Sequence, residues 1–191
     1  MASSATVWPF DGTKIAVLAD CHIHPGGGPA FPPALFERLD AEDPDLIVTL
    51  GDMGESSGLD ELAEFAPVIG VRGQDDSDDP RTDNELLVLN TGNTDVCCVF
   101  DPVAVGLATS ADPFTPSADF GDVAGRLFAD RRPDILLFAS THKMAEAAVM
   151  ELPCQALNPG SAVLPAAGER PSFLILVVSD GTWTGRFMHL D

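Results

Sequence analysis

Asp20 and His22 stand two residues apart, directly after the apolar run Lys14-Ile15-Ala16-Val17-Leu18-Ala19. In extended backbone such a pair points the same way, so a carboxylate and an imidazole are offered together, and both are ligands for a divalent metal. The pattern recurs. Gly51-Asp52 follows the apolar run 45–50, Arg72-Gly73-Gln74-Asp75-Asp76 follows 68–71, and Ser140-Thr141-His142 follows 134–139. Short, nearly continuous apolar runs are buried strands of α/β folds, and functional groups collect where such strands end. Four strand ends thus present Asp20, His22, Asp52, Gln74 to Asp76, and His142 as one candidate constellation.

The elements that must position these groups alternate in the first half. After the strand 14–19, Pro25 to Pro33 is rich in glycine and proline and predicts an irregular loop. Leu35, Phe36 and Leu39 at helical spacing predict a helix over 34–39, ended before Pro44. A second strand spans 45–50, an acidic helix opens at Ser57, and a third strand spans 68–71. Five aspartates between Asp75 and Asp83 predict a solvated acidic loop. Leu86–Asn90 and Val96–Val99 flank the turn signal Asn90-Thr91-Gly92-Asn93-Thr94-Asp95, predicting an antiparallel hairpin. Residues 100–116, with three prolines, predict a loop, and 120–128 a helix. The strand at 134–139 is followed by closing strands at 147–152, 155–157, 172–179 and 182–189. The expected fold is α/β: one domain over 1–191, a layered sandwich of two mixed β-sheets flanked by helices.

Thirty acidic against ten basic residues give a formal charge of −20 over 191 residues, with 45% hydrophobic residues. That length and apolar content suffice for one folded core. Such a charge repels nucleic-acid backbones and anionic membranes, which excludes generic binding to either. It suits a high-salt cytoplasm or simply an acidic protein of a GC-rich source, and composition leaves both open. No apolar run reaches the length of a membrane span, and the start lacks the basic residue of a secretory signal. Cys21, Cys97, Cys98 and Cys154 form no CxxC pair and read as buried small hydrophobes of a reducing, cytoplasmic compartment. His189 reads as a surface histidine.

Asp20-Cys21-His22, Gly51-Asp52, Val71 to Asp76 and Ala139-Ser140-Thr141-His142 occur in the order and at the spacing of the calcineurin-like metallophosphoesterases, which the chain resembles over nearly its whole length. That family's blocks are Asp-x-His, Gly-Asp, Gly-Asn-x-Asp, His-Gly-His and Gly-His-Thr-His. Asn158-Pro159-Gly160-Ser161 followed by Pro171-Ser172-Phe173 is similar to its small single-domain subgroup, which holds bacterial and archaeal phosphodiesterases and the retromer subunit.

The resemblance implies chemistry in which two divalent ions about 3.5 to 4 Å apart activate a hydroxide against phosphorus. It assigns Asp20, His22, Asp52 and His142 to a first ion, with Asp52 bridging and Asp52 and His142 at the catalytic centre. The second set is depleted. Gln74 stands for the asparagine, Ser140 for a histidine, and Phe100-Asp101-Pro102 carries no histidine where the fourth block belongs. Asp52, Gln74 and Asp101 would make an oxygen-rich substitute suited to Mg²⁺, Mn²⁺ or Ca²⁺, and Asp75, Asp76 and His24 are further candidates. Arg72 and Ser140 are the candidate substrate contacts, although Arg72 reads equally as an ion pair to the acidic loop. The expectation is a phosphoesterase acting on a phosphodiester or small phosphorylated metabolite with one divalent ion (Mn, Mg, Ni, Zn or Fe) and an uncertain second. The alternative is a binding or scaffold module on the same fold. Composition leaves a homo-oligomer open.

Overall fold

The structure, a computed structural model, describes residues 5–26, 28–150 and 152–190. Gly27 of the expected loop, Glu151 of the expected strand 147–152 and the first four residues of the start lie outside them. The described elements run β1 (Thr6–Pro9), β2 (Lys14–Leu18), α1 (Pro33–Glu42), β3 (Leu46–Thr49), α2 (Ser56–Leu62), β4 (Val68–Gly70), β5 (Leu86–Asn90), β6 (Asp95–Val99), β7 (Ala108–Ala111), β8 (Phe114–Pro116), α3 (Phe120–Leu127), β9 (Ile135–Leu137), β10 (Met144–Val149), β11 (Cys154–Pro159), β12 (Ser172–Ser179) and β13 (Thr182–His189).

Two mixed sheets carry the fold, one ordered β1-β5-β6-β9-β11-β10 and the other β13-β12-β2-β3-β4. The alternation of side chains along each strand sorts the apolar residues into three layers. Ile15, Val17, Leu46, Val48, Cys98, Leu137, Leu157 and Leu176 meet between the sheets. Ala16, Leu18 and Ile47, one residue out of step, face α1 and α2 through Leu35, Leu39, Leu59 and Leu62. On the other sheet, Val88, Cys97 and Leu136 face α3 through Phe120, Val123 and Ala124. The central strands are therefore apolar on both faces, which is why they read as continuous runs in the sequence.

β2, β3 and β4 are mutually parallel, as are β6, β9 and β11, so the groups that follow them emerge at common sheet ends. The expected hairpin forms as β5 against β6, with Asn90 opposite Asp95. Three expectations, for 100–116, for the strand at 147–152 and for the end of the first helix, need correction, and β1 was not expected. Residues 100–116 are not all loop, because β7 and β8 pair there as a small hairpin; Pro113 lies in its turn and Pro116 at its end, where no ladder N–H is needed. β1 pairs in parallel with β5, and all four of its residues are exposed, so it lacks the alternation that marks a strand. β10, at the edge of the long sheet, begins at Met144 rather than 147, two residues after His142, and ends at Val149 rather than 152. α1 also runs past Leu39 to Glu42, where Asp43 closes it in the left-handed conformation with φ 47°. The four cysteines are buried free thiols. No described helix is long and apolar enough to cross a membrane.

Candidate metal centre

The site is assembled by loops that zip together past the strand ends. Leu50 N–H donates to Leu18 O at 2.9 Å, Asp20 N–H to Gly51 O at 3.1 Å, and His22 N–H to Asp52 O at 2.9 Å. Asp20, His22, Asp52, Ser140 and His142 all adopt positive φ, between 50° and 72°. Each non-glycine residue held there costs of order 1 kcal/mol, and such outliers gather where side-chain direction matters more than local comfort. Gly51, at φ +99°, has a second reason to lack a side chain: a Cβ there would lie 2.6 Å from the Phe100 ring and 2.7 Å from Gly73 N.

Asp20 is fully buried. Its carboxylate accepts the N–H of Ser140 at 3.3 Å and of His142 at 3.1 Å, tying the two sheets together across the site. Burial pushes its carboxyl up to about 6, with His142 and its N–H opposing and Asp52 adding to the rise. Ser161 Oγ donates to Asp20 O at 2.7 Å and accepts from Val163 N–H at 3.1 Å and Leu164 N–H at 2.8 Å. Asn158 donates to Ala139 O at 3.3 Å and Thr141 Oγ1 at 3.1 Å, and accepts from Gly160 N–H at 2.9 Å. The Asn-Pro-Gly-Ser stretch thus braces the loops that carry Asp20 and His142.

The two histidines decide whether a cation fits. His142 Nδ1 lies 2.6 Å from Leu164 O. A carbonyl only accepts, so the proton sits on Nδ1 and Nε2 is a bare lone pair. His22 Nδ1 lies 2.6 Å from a carboxylate oxygen of Asp75, which places its proton in the same way. These two Nε2 atoms face each other at 3.3 Å, with the rings stacked at 5.1 Å between centroids, and Asp52 Oδ2 lies 3.9 Å from His22 Nε2. Two lone pairs beside a carboxylate repel unless a positive charge joins them. Imidazoles whose second nitrogen donates to a carboxylate or a carbonyl are the usual state of metal-bound histidine. The bare Nε2 atoms of His22 and His142, with the Asp52 carboxylate beside them, are therefore donors of the kind a divalent cation takes, and the buried Asp20 carboxylate lies against the backbone of His142.

The residues expected around a second cation are arranged differently. Gln74 is exposed, and among the described residues no hydrogen bond reaches its amide. Asp101 turns onto its own loop, its Oδ1 accepting from Val103 N–H at 2.8 Å and Ala104 N–H at 3.2 Å. Phe100, which stands where the fourth block belongs, packs its ring against the inter-sheet core. Asp52 Oδ1 accepts the N–H of Asp75 at 2.8 Å, so backbone occupies that side of the carboxylate. Asp76 accepts from Met53 N–H at 2.6 Å, Gly54 N–H at 3.0 Å and Gly73 N–H at 2.6 Å, fastening the loop over Asp52. Arg72 pairs with Asp78 at 2.8 Å and Asp83 at 3.5 Å.

The structure thus sets His22, His142 and Asp52 side by side, with buried Asp20 holding the N–H groups of His142 and Ser140; Gln74 is left exposed, and Asp101 and Arg72 are engaged elsewhere. The acidic loop is not simply solvated, as its sequence suggested. Asp79 is 7% exposed, and Arg81 grips both its oxygens at 2.8 and 2.6 Å, holding its carboxyl well below the usual range. His24 joins the site through Asp75, its Nε2 lying 2.8 Å from the same Oδ2 that His22 uses. His189 is half-buried rather than a surface group, with an Nδ1 out of reach of solvent. The sequence signal for Asp75 was only its place in the third block, and for Ser161 and Asn158 only their place in the tail block. A cavity of about 260 Å³ lined by Phe120, Val149 and Leu152 lies by the end of β10 remote from His142.

No curated protein matches this chain. Among solved structures it is similar to wild-type Vps29 of Entamoeba histolytica complexed with Zn²⁺ (21% identity, 93% of this chain and 99% of that one, TM-score 0.66). It is also similar to Vps29 of Chaetomium thermophilum (19% identity, 92% and 96%, TM-score 0.67) and to the phosphoesterase YfcE of E. coli (17% identity, 93% and 100%, TM-score 0.57). At these identities the likeness shows a shared fold. A sequence model of the calcineurin-like phosphoesterase superfamily domain matches residues 13–181. The strand-end carboxylates and imidazoles, the two-sheet sandwich and that match together make the chain a member of the calcineurin-like phosphoesterase superfamily.

Proposed function

We propose that the protein is a phosphoesterase working with one divalent cation held by Asp20, His22, Asp52 and His142. The observation that carries this reading is the pair of His22 and His142 Nε2 lone pairs, 3.3 Å apart beside the Asp52 carboxylate. The ion, when bound, supplies water activation and neutralisation of phosphate charge. The chain's own residues hold the two imidazoles in the ligating tautomer, keep Asp20 away from water, and close the loop 73–76 over Asp52. A chain of charge −20 repels polyanions, so the fitting substrate is small and weakly charged, a phosphodiester or a small phosphorylated metabolite. Arg72, held by the exposed Asp78 and Asp83, is the guanidinium nearest in sequence to the site and the proposed phosphate contact; Ser140 is the proposed neutral one. Four free buried thiols suit a reducing compartment, and we place the protein in the cytoplasm.

The test is turnover of bis(p-nitrophenyl) phosphate and p-nitrophenyl phosphate with Mn²⁺, Mg²⁺, Ni²⁺ or Zn²⁺. Hydrolysis that Asp52→Asn lowers at least about 100-fold is expected; absence of turnover with every ion at low and high salt overturns the reading. The engagement of Asp101 in its own turn, with Phe100 where the fourth block belongs, favours a second reading, a cation-binding module without catalysis, which predicts stoichiometric ion binding and no turnover in the same assay.

A further inference from the structure

We propose that Asp75 is the positioning residue of this centre: its carboxylate fixes His22 in the tautomer that frees Nε2 for a cation, and its backbone N–H holds Asp52. The inference rests on the cation site proposed above. Asp75 makes three contacts with site residues, its Oδ2 accepting from His22 Nδ1–H at 2.6 Å and His24 Nε2–H at 2.8 Å, and its N–H donating to Asp52 Oδ1 at 2.8 Å. The neighbouring Asp76, bound to three backbone N–H groups, sets the loop that presents it.

His142 needs no such help, since a backbone carbonyl fixes its proton. His22 lacks a carbonyl partner. With its proton on Nε2 instead, it would donate to His142 Nε2 across the 3.3 Å gap, and that single hydrogen bond would consume both lone pairs. Asp75 prevents this by holding the proton on the far side of the ring. A carboxylate outside the ligand set that orients a ligating imidazole typically raises metal affinity 10- to 100-fold.

His22, His24 and Asp75 also place three ligand atoms within 4.8 Å of one another, the spacing of an ion site. Their 2.6 and 2.8 Å separations are those of charge-assisted hydrogen bonds with a proton between the atoms. An ion there would displace the proton of His22 Nδ1, which the ligating tautomer requires. The trio is therefore a hydrogen-bonded unit serving the first site.

The experiment labels histidine with ¹⁵N and reads the His22 tautomer in metal-free protein in alkaline buffer, and separately titrates Mn²⁺ and Zn²⁺ by calorimetry. His22 is expected as Nδ1–H in the wild type and in Asp75→Asn, whose amide oxygen still accepts, and as Nε2–H in Asp75→Ala. Affinity falls 10- to 100-fold in Asp75→Ala and less in Asp75→Asn. Asp78→Ala removes the same charge from the same loop, at a residue 95% exposed, and leaves tautomer and affinity unchanged. Retention of Nδ1–H in Asp75→Ala overturns the proposal, as does an equal loss of affinity in Asp78→Ala or the loss of a second bound ion with Asp75. If the wild type binds no ion, the cation reading fails, while the tautomer comparison still decides the role of Asp75.

Discussion

The two halves of the site are built by different means. In the half formed by Asp20, His22, Asp52 and His142, every functional side chain is held by a partner that sets its direction: Leu164 O for His142, the Asp75 carboxylate for His22, the Asp75 N–H for Asp52, and two backbone N–H groups for Asp20. In the half where the family places a second ion, the same positions are turned to structural ends. Asp101 closes its own turn, the half-buried Phe100 packs against the inter-sheet core, and the loop 73–76 seats its N–H groups on Asp52 and Asp76. A family motif can thus lose its ligands while the fold keeps its shape, because Phe100 packs against the core and Asp76 and Asp101 are taken up by nearby backbone N–H groups. What distinguishes a metal half from a structural half is whether the nitrogen lone pairs are left bare.

The largest expected effect comes from trying to refill the structural half. Phe100→His with Ser140→His returns the two missing imidazoles, and elemental analysis is expected to rise from one ion per chain to two. Two ions already present in the wild type would break the comparison.

Next is Ser161→Ala, which removes a fully buried hydroxyl with three hydrogen bonds from beneath the metal half. Leaving Asp20 O and two N–H groups unpaired costs about 3 kcal/mol, visible in a thermal melt. Because the same bonds seat Leu164 O against His142, ion affinity falls about tenfold by calorimetry. A loss of stability with affinity intact would separate the brace from the ligands.

Asp79→Asn acts outside both halves, where the Asp79–Arg81 pair anchors the acidic loop. Its carboxyl is held below its unfolded value by Arg81, so the pair stabilises the fold fully above about pH 4 and progressively less as pH falls toward the folded value. The variant is expected to lose about 2 kcal/mol at neutral pH, to approach the wild type in acid, and to change ion affinity less than Ser161→Ala does. A gap between the two proteins that persists undiminished toward pH 2 would remove charge from the explanation.

Much of the fold was legible before the structure. β2, β3, β4, β6 and β9 are buried on both faces, so their apolar runs stand out, and the hairpin turn between β5 and β6 announces itself by its Asn and Gly residues. β1 was not legible because an exposed edge strand carries no alternation, and β7 and β8 were hidden by prolines that sit where the ladder needs no donor. The site divided in the same way. Asp20, His22, Asp52 and His142 were readable as one constellation because each follows a strand and strand ends converge. Asp75 looked like one more loop aspartate, and Asp79 like a solvated one.

The sequence by itself determined which groups arrive at the site, since ligand chemistry and strand-end placement are local properties of the chain. Only the tertiary structure decided what those groups do on arrival. The proton positions on His22 and His142 are set by Asp75 and Leu164, which lie 53 and 22 residues away in sequence. The fate of Asp52 Oδ1, Asp76 and Asp101 is set by backbone N–H groups that no residue letter advertises. Hydrogen bonding of that kind depends on through-space distance and direction, and these exist only once the loops have closed.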